Sequence, residues 1–425
     1  MSFTPAAGLA PQQVTAGIRA TYAAFIASGF AFASWASRIP QVRDQLGLSP
    51  ADLGLVLLAI AAGSLVALPL AGIIVHRFNS RRTVAYMSVL LAVGLAVVAA
   101  GYLIGVLPVV LGLFLVGFAN GAWDVAMNVQ GATVERHLGR AIMPRFHAGY
   151  SAGTVAGALV GTLMVALSVS VTIHLIVLAV LVAVLVPFAV RGFVADEDPS
   201  PEPDNSADAA APGYDLPDDG PKVGGARAAL ARWREPRTLI IGVIVLAFAF
   251  SEGSGNDWIS VALIDGYGTP AAVGTLGFAA FLTAMTAVRW FGTGLLDRYG
   301  RVLVLRGLAA VAIAGILLFV FSPPYTPLAF VGVLLWGAGA SLGFPVGMSA
   351  AADDPKAAAS RVSVVASIGY CAFLGGPPLI GFLGEHVTVL RALLVVAVLL
   401  ALATLLINAV RPIAPVEKDA SAAGA

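Results

Sequence analysis

The chain has 425 residues, of which 59% are hydrophobic and only 11% are charged, with a formal net charge of +1 at pH 7. A soluble domain carries about 25% charged residues, and a chain this long and apolar cannot cover its surface with polar side chains in water. The composition therefore excludes a soluble enzyme, a disordered chain and a disulfide-stapled secreted domain, and the balanced charge gives no field for nucleic acid.

In chain order, twelve windows are apolar enough to cross a bilayer, which takes ~20 residues at ~1.5 Å each. We therefore predict an all-α membrane protein whose twelve transmembrane helices form two six-helix bundles (6+6) around a central cavity. The first window has no small-residue cleavage site, so we interpret it as a retained span. The predicted spans lie near 17–38, 50–75, 83–104, 107–134, 145–168, 171–190, 238–262, 270–296, 302–322, 327–350, 361–384 and 387–409.

A segment of different composition separates the two predicted halves. Residues 195–221 contain nine acids and six prolines, a composition that cannot form a core. We predict an N-terminal half over 1–192, a disordered or interfacial cytoplasmic linker over 193–237, and a C-terminal half with a short cytoplasmic tail over 238–425. The basic end of the linker is expected to lie on anionic lipid, with a regulatory partner site as the alternative.

The distribution of basic residues predicts the orientation. With the N-terminus inside, 20 Lys and Arg residues fall in inner loops and termini, whereas three, Arg38, Arg43 and Arg391, fall on the outer side. By the positive-inside rule, both termini are expected in the cytoplasm, and the protein in the plasma (inner) membrane.

No sequence motif points to an enzyme. The chain has no Walker loop, HExxH helix or GxSxG elbow, so we expect no metal, no cofactor and no ATP-driven pumping. The single cysteine, Cys371, lies in an apolar run and is expected to be a small buried hydrophobe.

The halves resemble each other at an offset near 220 residues. A Ser or Thr cap followed by Pro opens the second span at Ser49 and the eighth at Thr269, and this pair is a helix start signal. Such parallel repeats are typical of transporters whose halves rock around a site at the membrane midplane.

Two loop motifs carry a resemblance to a known family. Residues 72–82 resemble the loop 2–3 signature of the major facilitator superfamily, with His76 and Asn79 where the family prefers Asp and Gly. Residues 297–301 keep the Asp-Arg-x-Gly-Arg core. We expect these loops to form ion pairs at an inner gate that break when the halves rock. The residues concerned are Arg77, Arg81, Arg82, Asp297, Arg298 and Arg301.

Within that superfamily the chain is most similar to the fucose-permease-like sugar/proton symporters. This resemblance implies a proton site at Asp124, with the amide of Asn128 nearby. The branch also carries an acid late in the first span, where this chain reads Ser-Trp-Ala-Ser-Arg over 34–38. The similarity rests on Asp124-x3-Asn128 in the fourth span, Pro69 and Gly72 in the second, and residues 289–293 in the eighth.

The fourth span places an acid and an amide on one helical face. Gly117, Gly121, Asp124 and Asn128 follow steps of four, three and four residues. Asp124 lies ~25 Å from the outer end of its span, and an ionised group at this depth costs ~2.5–3.5 kcal/mol. We therefore predict proton exchange at Asp124 and solute contact at Asn128, against the alternative of structural bonds to a neighbouring helix.

The seventh span carries a second deep carboxyl group. Glu252 and Asn256 share a face, and Gly253 and Gly255 are expected to break the helix and expose backbone groups to a wet cavity. We predict Glu252 as a proton-coupling residue and Asn256 as a solute ligand. Trp258 is expected either to stack on the solute or to anchor at the interface.

Three further residues complete the predicted site. Arg289 is a buried cation that we assign to gating. Its side chain is expected either to snorkel towards the inner membrane surface or to pair with an acid such as Asp297. His147 is expected in the site or at a gate, and Trp35 in an outer vestibule where it contacts the solute.

These observations predict a proton-coupled symporter that moves a small polar, sugar-like solute by alternating access. Its expected partners are that solute, protons and the lipid bilayer, with no nucleic acid and no obligate protein partner. A proton-driven efflux antiporter for amphipathic compounds and a non-transporting membrane sensor or scaffold are the alternatives.

Overall fold

The computed structural model describes residues 10–139, 142–196, 231–354 and 357–413. Most of the predicted linker, the basic segment up to residue 230 and the tail from residue 414 lie outside the described residues. Within the described ranges the chain is helical and has no strand. The helices are α1 Pro11–Ala36, α2 Ile39–Leu46, α3 Pro50–Ile104, α4 Val106–Leu138, α5 Met143–Ala166, α6 Val171–Ala189, α7 Pro236–Tyr267, α8 Ala271–Phe291, α9 Thr293–Phe321, α10 Thr326–Ala340, α11 Gly343–Ala351, α12 Ala358–Val387, α13 Val389–Ala392 and α14 Leu394–Leu406.

Eleven helical segments in the described part are long and apolar enough to cross a membrane, against twelve predicted windows. The difference arises in α3, whose 55 residues join the second and third windows into one continuous assignment. Inside α3 the backbone leaves the helical region at Asn79, with φ 62° and ψ 164°.

The two arginine-rich loop motifs share one backbone conformation. Gly300 in α9 has φ 74° and ψ 162°, close to the values of Asn79. Because φ is positive, glycine is the favoured residue at this position, and Asn is among the residues that tolerate it. The Asn79 side chain also accepts a hydrogen bond from the Arg82 amide at 2.9 Å, which caps the following helical segment.

Glycines on the inner helix faces let neighbouring backbones approach closely. A Cβ atom built on Gly117 of α4 would lie 2.0 Å from the Ile60 carbonyl oxygen of α3, and one built on Gly153 of α5 would lie 2.2 Å from the Ile26 oxygen of α1. The stripe of glycines at 149–161 thus packs α5 on α1, as its four-residue spacing predicts.

We expect Gly117→Ala to destabilise the protein by about 1–3 kcal/mol, because its methyl group has no space unless α3 and α4 move apart. Thermal unfolding of the detergent-purified protein measures the effect. Gly72→Ala is the matched control, since nothing lies within 4 Å of its Cβ position. Equal unfolding temperatures for the two variants would contradict the close packing of α3 on α4.

Residues 10–196 and residues 231–413 are here called the N-terminal and C-terminal halves. They meet tightly at the end of the helix bundle that carries α2, here called the α2 end. Arg43 forms an ion pair with Asp265 across the halves, in which its Nη1 and Nη2 atoms donate to the two carboxylate oxygens. A Cβ on Gly54 would lie 2.4 Å from the Pro377 oxygen, and one on Gly381 would lie 2.4 Å from the Pro50 oxygen. The cavity between the halves is therefore closed at the α2 end.

At the opposite end, here called the arginine-rich end, several ion pairs connect residues of the C-terminal half to one another. Arg301 donates to Asp353 at 2.6 Å, and Arg237 donates to the same carboxylate at 2.9 Å. Arg361 donates to Glu235 at 2.7 Å and lowers the pKa of that carboxyl group to about 2.

Among the described residues, no ion pair joins the two loop motifs in this conformation, although such pairs were predicted. Arg77 lies over the Phe78 ring and Arg298 over the Tyr299 ring, while Arg301 is held by Asp353. In this conformation Arg77, Arg298 and Arg301 therefore contact residues of their own half.

Candidate functional site

A cavity of about 350 Å³ lies between the two halves. Its wall comes from α1, α3, α4 and α5 of the N-terminal half and from α7 and α12 of the C-terminal half. Leucine, valine and phenylalanine side chains form much of the wall. The polar and sulfur-bearing residues that line it are Ser64, Asn120, Asp124, Tyr150, Glu252, Asn256, Asp257, Ser367, Tyr370 and Cys371.

Asp124 of α4 lines this cavity without a cationic partner among the described residues. Its hydrogen-bond partner is Asn128, whose Nδ2 donates to the Asp124 main-chain oxygen at 2.8 Å and to the carboxylate at 3.3 Å. The predicted shared face therefore exists, but Asn128, which is predicted to contact the solute, is not among the residues that line the cavity. Asn128 positions the carboxylate.

Glu252 of α7 also lines the cavity, but it is paired. Arg289 of α8 donates from Nη2 to its carboxylate at 2.7 Å and from Nε to the Ser341 carbonyl at 3.0 Å. Ser341 caps the end of α10, where the chain breaks before α11 starts. Arg289 thus holds together α7, α8 and the carbonyl end of α10, which carries partial negative charge.

Arg289 pairs with an acid, which is one of the two arrangements expected for it, but the acid is Glu252 and not the candidate Asp297, which is exposed. The expected break at Gly253 and Gly255 is wrong, because α7 runs unbroken through both residues. The break lies in the tenth span at Ser341. Gly255 serves packing instead, because a Cβ there would lie 2.4 Å from the Phe281 ring.

Asp257 is a third carboxyl group of the cavity, and it was not predicted as a site residue. The predicted span ends at residue 262, whereas α7 continues to Tyr267 and so carries Asp257 deeper. Its side chain forms no hydrogen bond or ion pair with any described residue. The signal available in the sequence was an acid within an apolar helix, five residues after Glu252.

Asn256 lies beside Asp257 and lines the cavity, as predicted. Its Oδ1 atom is shielded from solvent and has no hydrogen-bond partner in the described part of the chain. This acceptor is therefore left unsatisfied inside the protein in this conformation.

Three residues predicted to contact the solute do not line the cavity. Trp258 is 0% exposed and Trp35 is 2% exposed, so both indoles pack inside the helix bundle. The His147 ring packs edge-on against Phe25, with centroids 5.1 Å apart. Trp258 directly follows Asp257, and consecutive side chains of a helix point in different directions. The Trp258 indole therefore points towards the protein core.

Three residues of the wall were missed or misjudged. Tyr150 and Tyr370 line the cavity, and their hydroxyl groups in apolar spans were the available signal. Cys371, expected to be buried, is an exposed thiol on the cavity wall. Among the described residues, no group of three or more His, Cys, Asp or Glu side chains could hold a metal ion.

Comparison with known proteins identifies the family. The model of the Major Facilitator Superfamily matches residues 21–372. The chain belongs to this superfamily. Two of its relatives are described as transporters and not as enzymes, and the described chain has eleven helices that are long and apolar enough to cross a membrane, which agrees with a multi-pass membrane protein.

One relative is an uncharacterized transporter, y4wD, of Sinorhizobium fredii, 30% identical over 390 residues that cover 91% of this chain and 96% of the relative. Among solved structures, the nucleoside transporter NupG has a TM-score of 0.71 at 16% identity and covers 93% of this chain and 98% of its own. FucP in its outward conformation has a TM-score of 0.58 at 16% identity, over 92% and 99% of the two chains. The predicted resemblance to the superfamily and its sugar-symporter-like fold is thereby confirmed.

Proposed function

We propose that this protein is a proton-coupled symporter that carries a small polar organic solute across the plasma membrane by alternating access. The observation that supports this most is the cavity between the halves, into which Asp124 projects an acid without a cationic partner among the described residues. FucP is described as a fucose:proton symporter, and another fold neighbour as a D-xylose-proton symporter. These names favour a sugar-like solute and coupling to protons.

The proposed architecture has twelve crossings in two groups of six. A straight helix of 55 residues would span ~80 Å, whereas the hydrocarbon core is ~30 Å thick. We therefore divide α3 at Asn79 into two crossings. The positive-inside rule then places the arginine-rich end and both termini in the cytoplasm, and the α2 end outside.

In this assignment the structure represents an inward-facing state, because the halves are joined at the outer, α2 end. Arg43 and Asp265 act as an outer latch that must open before solute can enter from outside. The arginines and acids of the two loop motifs form the inner gate in the opposite state.

The proposed coupling uses Asp124 as the proton carrier. A carboxylate in the membrane interior is costly, and protonation removes its charge before the occupied halves rock. Glu252 is less suited to carry the proton, because Arg289 compensates its charge at 2.7 Å. We assign Glu252 and Arg289 to holding α7 against α8 and α10.

The function is tested with purified protein in liposomes that contain a pH-sensitive dye. A panel with L-fucose, D-xylose, uridine and 2-phenylethylamine is added outside, and protein-free liposomes report passive leakage. Symport predicts that at least one solute acidifies the lumen. Alkalinisation would instead support the second candidate, an efflux antiporter for amphipathic compounds, which the apolar wall of the cavity favours. No protein-dependent proton movement with any solute would count against coupled transport.

Removal of the outer latch is expected to expose the cavity to the outside. Arg43 is mostly buried, and loss of a pair of this kind costs about 1 kcal/mol, or about fivefold in the ratio of the two states. Arg43→Ala should therefore raise the rate at which a membrane-impermeant thiol reagent labels Cys371 from outside by a few-fold.

Right-side-out vesicles with a mass-shifting maleimide measure this rate. Arg391→Ala is the control, because Arg391 is exposed and lies at the same end. An unchanged rate in Arg43→Ala would show that the pair does not hold the outer end closed.

A further inference from the structure

The charges on the cavity wall are unbalanced. Three carboxyl groups line it, from Asp124, Glu252 and Asp257, and no Arg, Lys or His of the described chain does. Arg289 of α8 contacts Glu252 and compensates only the charge of that carboxylate. Two acids therefore remain without a cationic partner in the described residues, and the cavity attracts positive charge.

Aromatic rings supply the rest of a cation-binding surface. Phe32, Tyr150, Tyr370 and Phe373 all line the cavity, and the rings of Tyr370 and Phe373 lie 6.3 Å apart. The face of an aromatic ring attracts an organic ammonium group, and the ring edges and leucines accommodate an apolar body. An anionic solute finds no cationic group on this wall among the residues that the structure describes.

We propose that the solute is an organic monocation, an amine with an apolar or ring-shaped body, and that Asp257 is its counter-ion. This inference rests on the proposed function, whose site it shares. Glu252 is occupied by Arg289, and Asp124 accepts a bond from Asn128. Asp257 lines the cavity without a hydrogen-bond or ion-pair partner in the described part of the protein, so its carboxylate can accept the N–H donors of an ammonium group.

The sole cysteine of the chain provides a readout of binding that does not require transport. Cys371 lies on the cavity wall, so a bound solute slows its reaction with the uncharged reagent N-ethylmaleimide. The probes are 2-phenylethylamine, 2-phenylethanol and phenylacetate at pH 7, which share one ring and differ in charge. The detergent-purified full chain is used.

We expect the amine to protect Cys371 at a concentration at least tenfold lower than the alcohol, and phenylacetate to protect least. Asp257→Asn should raise the amine concentration required by at least tenfold and leave that of the alcohol unchanged. Asp52→Asn is the control, because Asp52 is an exposed carboxyl group at the start of α3, away from the cavity.

Equal protection by amine and alcohol in the native protein overturns the inference, as does amine protection that survives Asp257→Asn. The native comparison stands even if the Asp257 variant fails to fold, which size-exclusion chromatography reveals. An amine that protects Cys371 but moves no protons contradicts the proposed function and leaves this inference standing.

Discussion

Asp124→Asn is expected to reduce solute-driven proton flux at least tenfold in liposomes, without loss of the folded protein. Asn has nearly the same shape and can keep its contact with Asn128, but it cannot take up a proton. The measurement is the initial rate of luminal pH change for whichever panel solute moves protons in the native protein. Asp52→Asn, which removes an exposed carboxyl group, should retain the native rate.

A second readout separates proton coupling from solute binding. The amide that replaces the Asp124 carboxyl group in this variant is permanently neutral, like the protonated acid, so exchange of labelled solute across the membrane without a gradient should persist. Loss of both exchange and proton flux would place Asp124 in solute binding. Native proton flux in the variant would rule out Asp124 as the carrier.

Disruption of the Glu252–Arg289 pair should have the largest effect on stability. Removing one partner of a buried ion pair costs about 3–5 kcal/mol, because the other charge is left without compensation. Here the Arg289 and Glu252 side chains are 27% and 18% exposed, so solvent screening reduces the expected loss to about 1–3 kcal/mol for Glu252→Gln.

The double variant distinguishes the pair from independent effects. Glu252→Gln with Arg289→Gln leaves no uncompensated charge, so its stability should exceed that of Arg289→Gln alone by at least about 1 kcal/mol. Unfolding in detergent, followed by denaturant or heat, measures all three variants, with Arg391→Gln as the control. Additive losses in the double variant would show that the pair is not energetically coupled.

Most of the fold was predictable, because a bilayer restricts the chain to apolar helices of suitable length. The window predicted at 171–190 corresponds to α6 at Val171–Ala189, and the one at 107–134 to α4 at Val106–Leu138. Hydropathy could not reveal the unusual backbone of Asn79, because the positive φ of one residue does not change the mean hydropathy of a window.

The candidate site was predictable where the residues concerned lie on a single helix, because their spacing shows which of them share a face. The spacing within α4 and α7 singled out Asp124, Glu252 and Asn256, which line the cavity, and Asn128, which does not. It could not show which neighbouring helix meets each face. Trp258 is therefore buried although it lies one residue from Asp257, and Arg289 pairs with an acid 37 residues away.

The glycines were the hardest residues to interpret, because glycine occurs both where a helix breaks and where two helices pack closely. Gly253 and Gly255 lie in an unbroken helix, whereas the chain breaks near Gly343 in the tenth span, where Arg289 binds the free Ser341 carbonyl. Which role a glycine has depends on its neighbour in space, such as the Phe281 ring against Gly255.

The central claim is that the cavity lined by Asp124, Asp257 and Cys371 is the transport site. Its most direct test measures two quantities for one solute in the same liposomes: the concentration that half-saturates proton flux and the concentration that half-protects Cys371 from N-ethylmaleimide. We predict that the two concentrations agree within about threefold, since both report occupancy of one site. A solute that saturates proton flux while Cys371 reacts at its unprotected rate would contradict the claim.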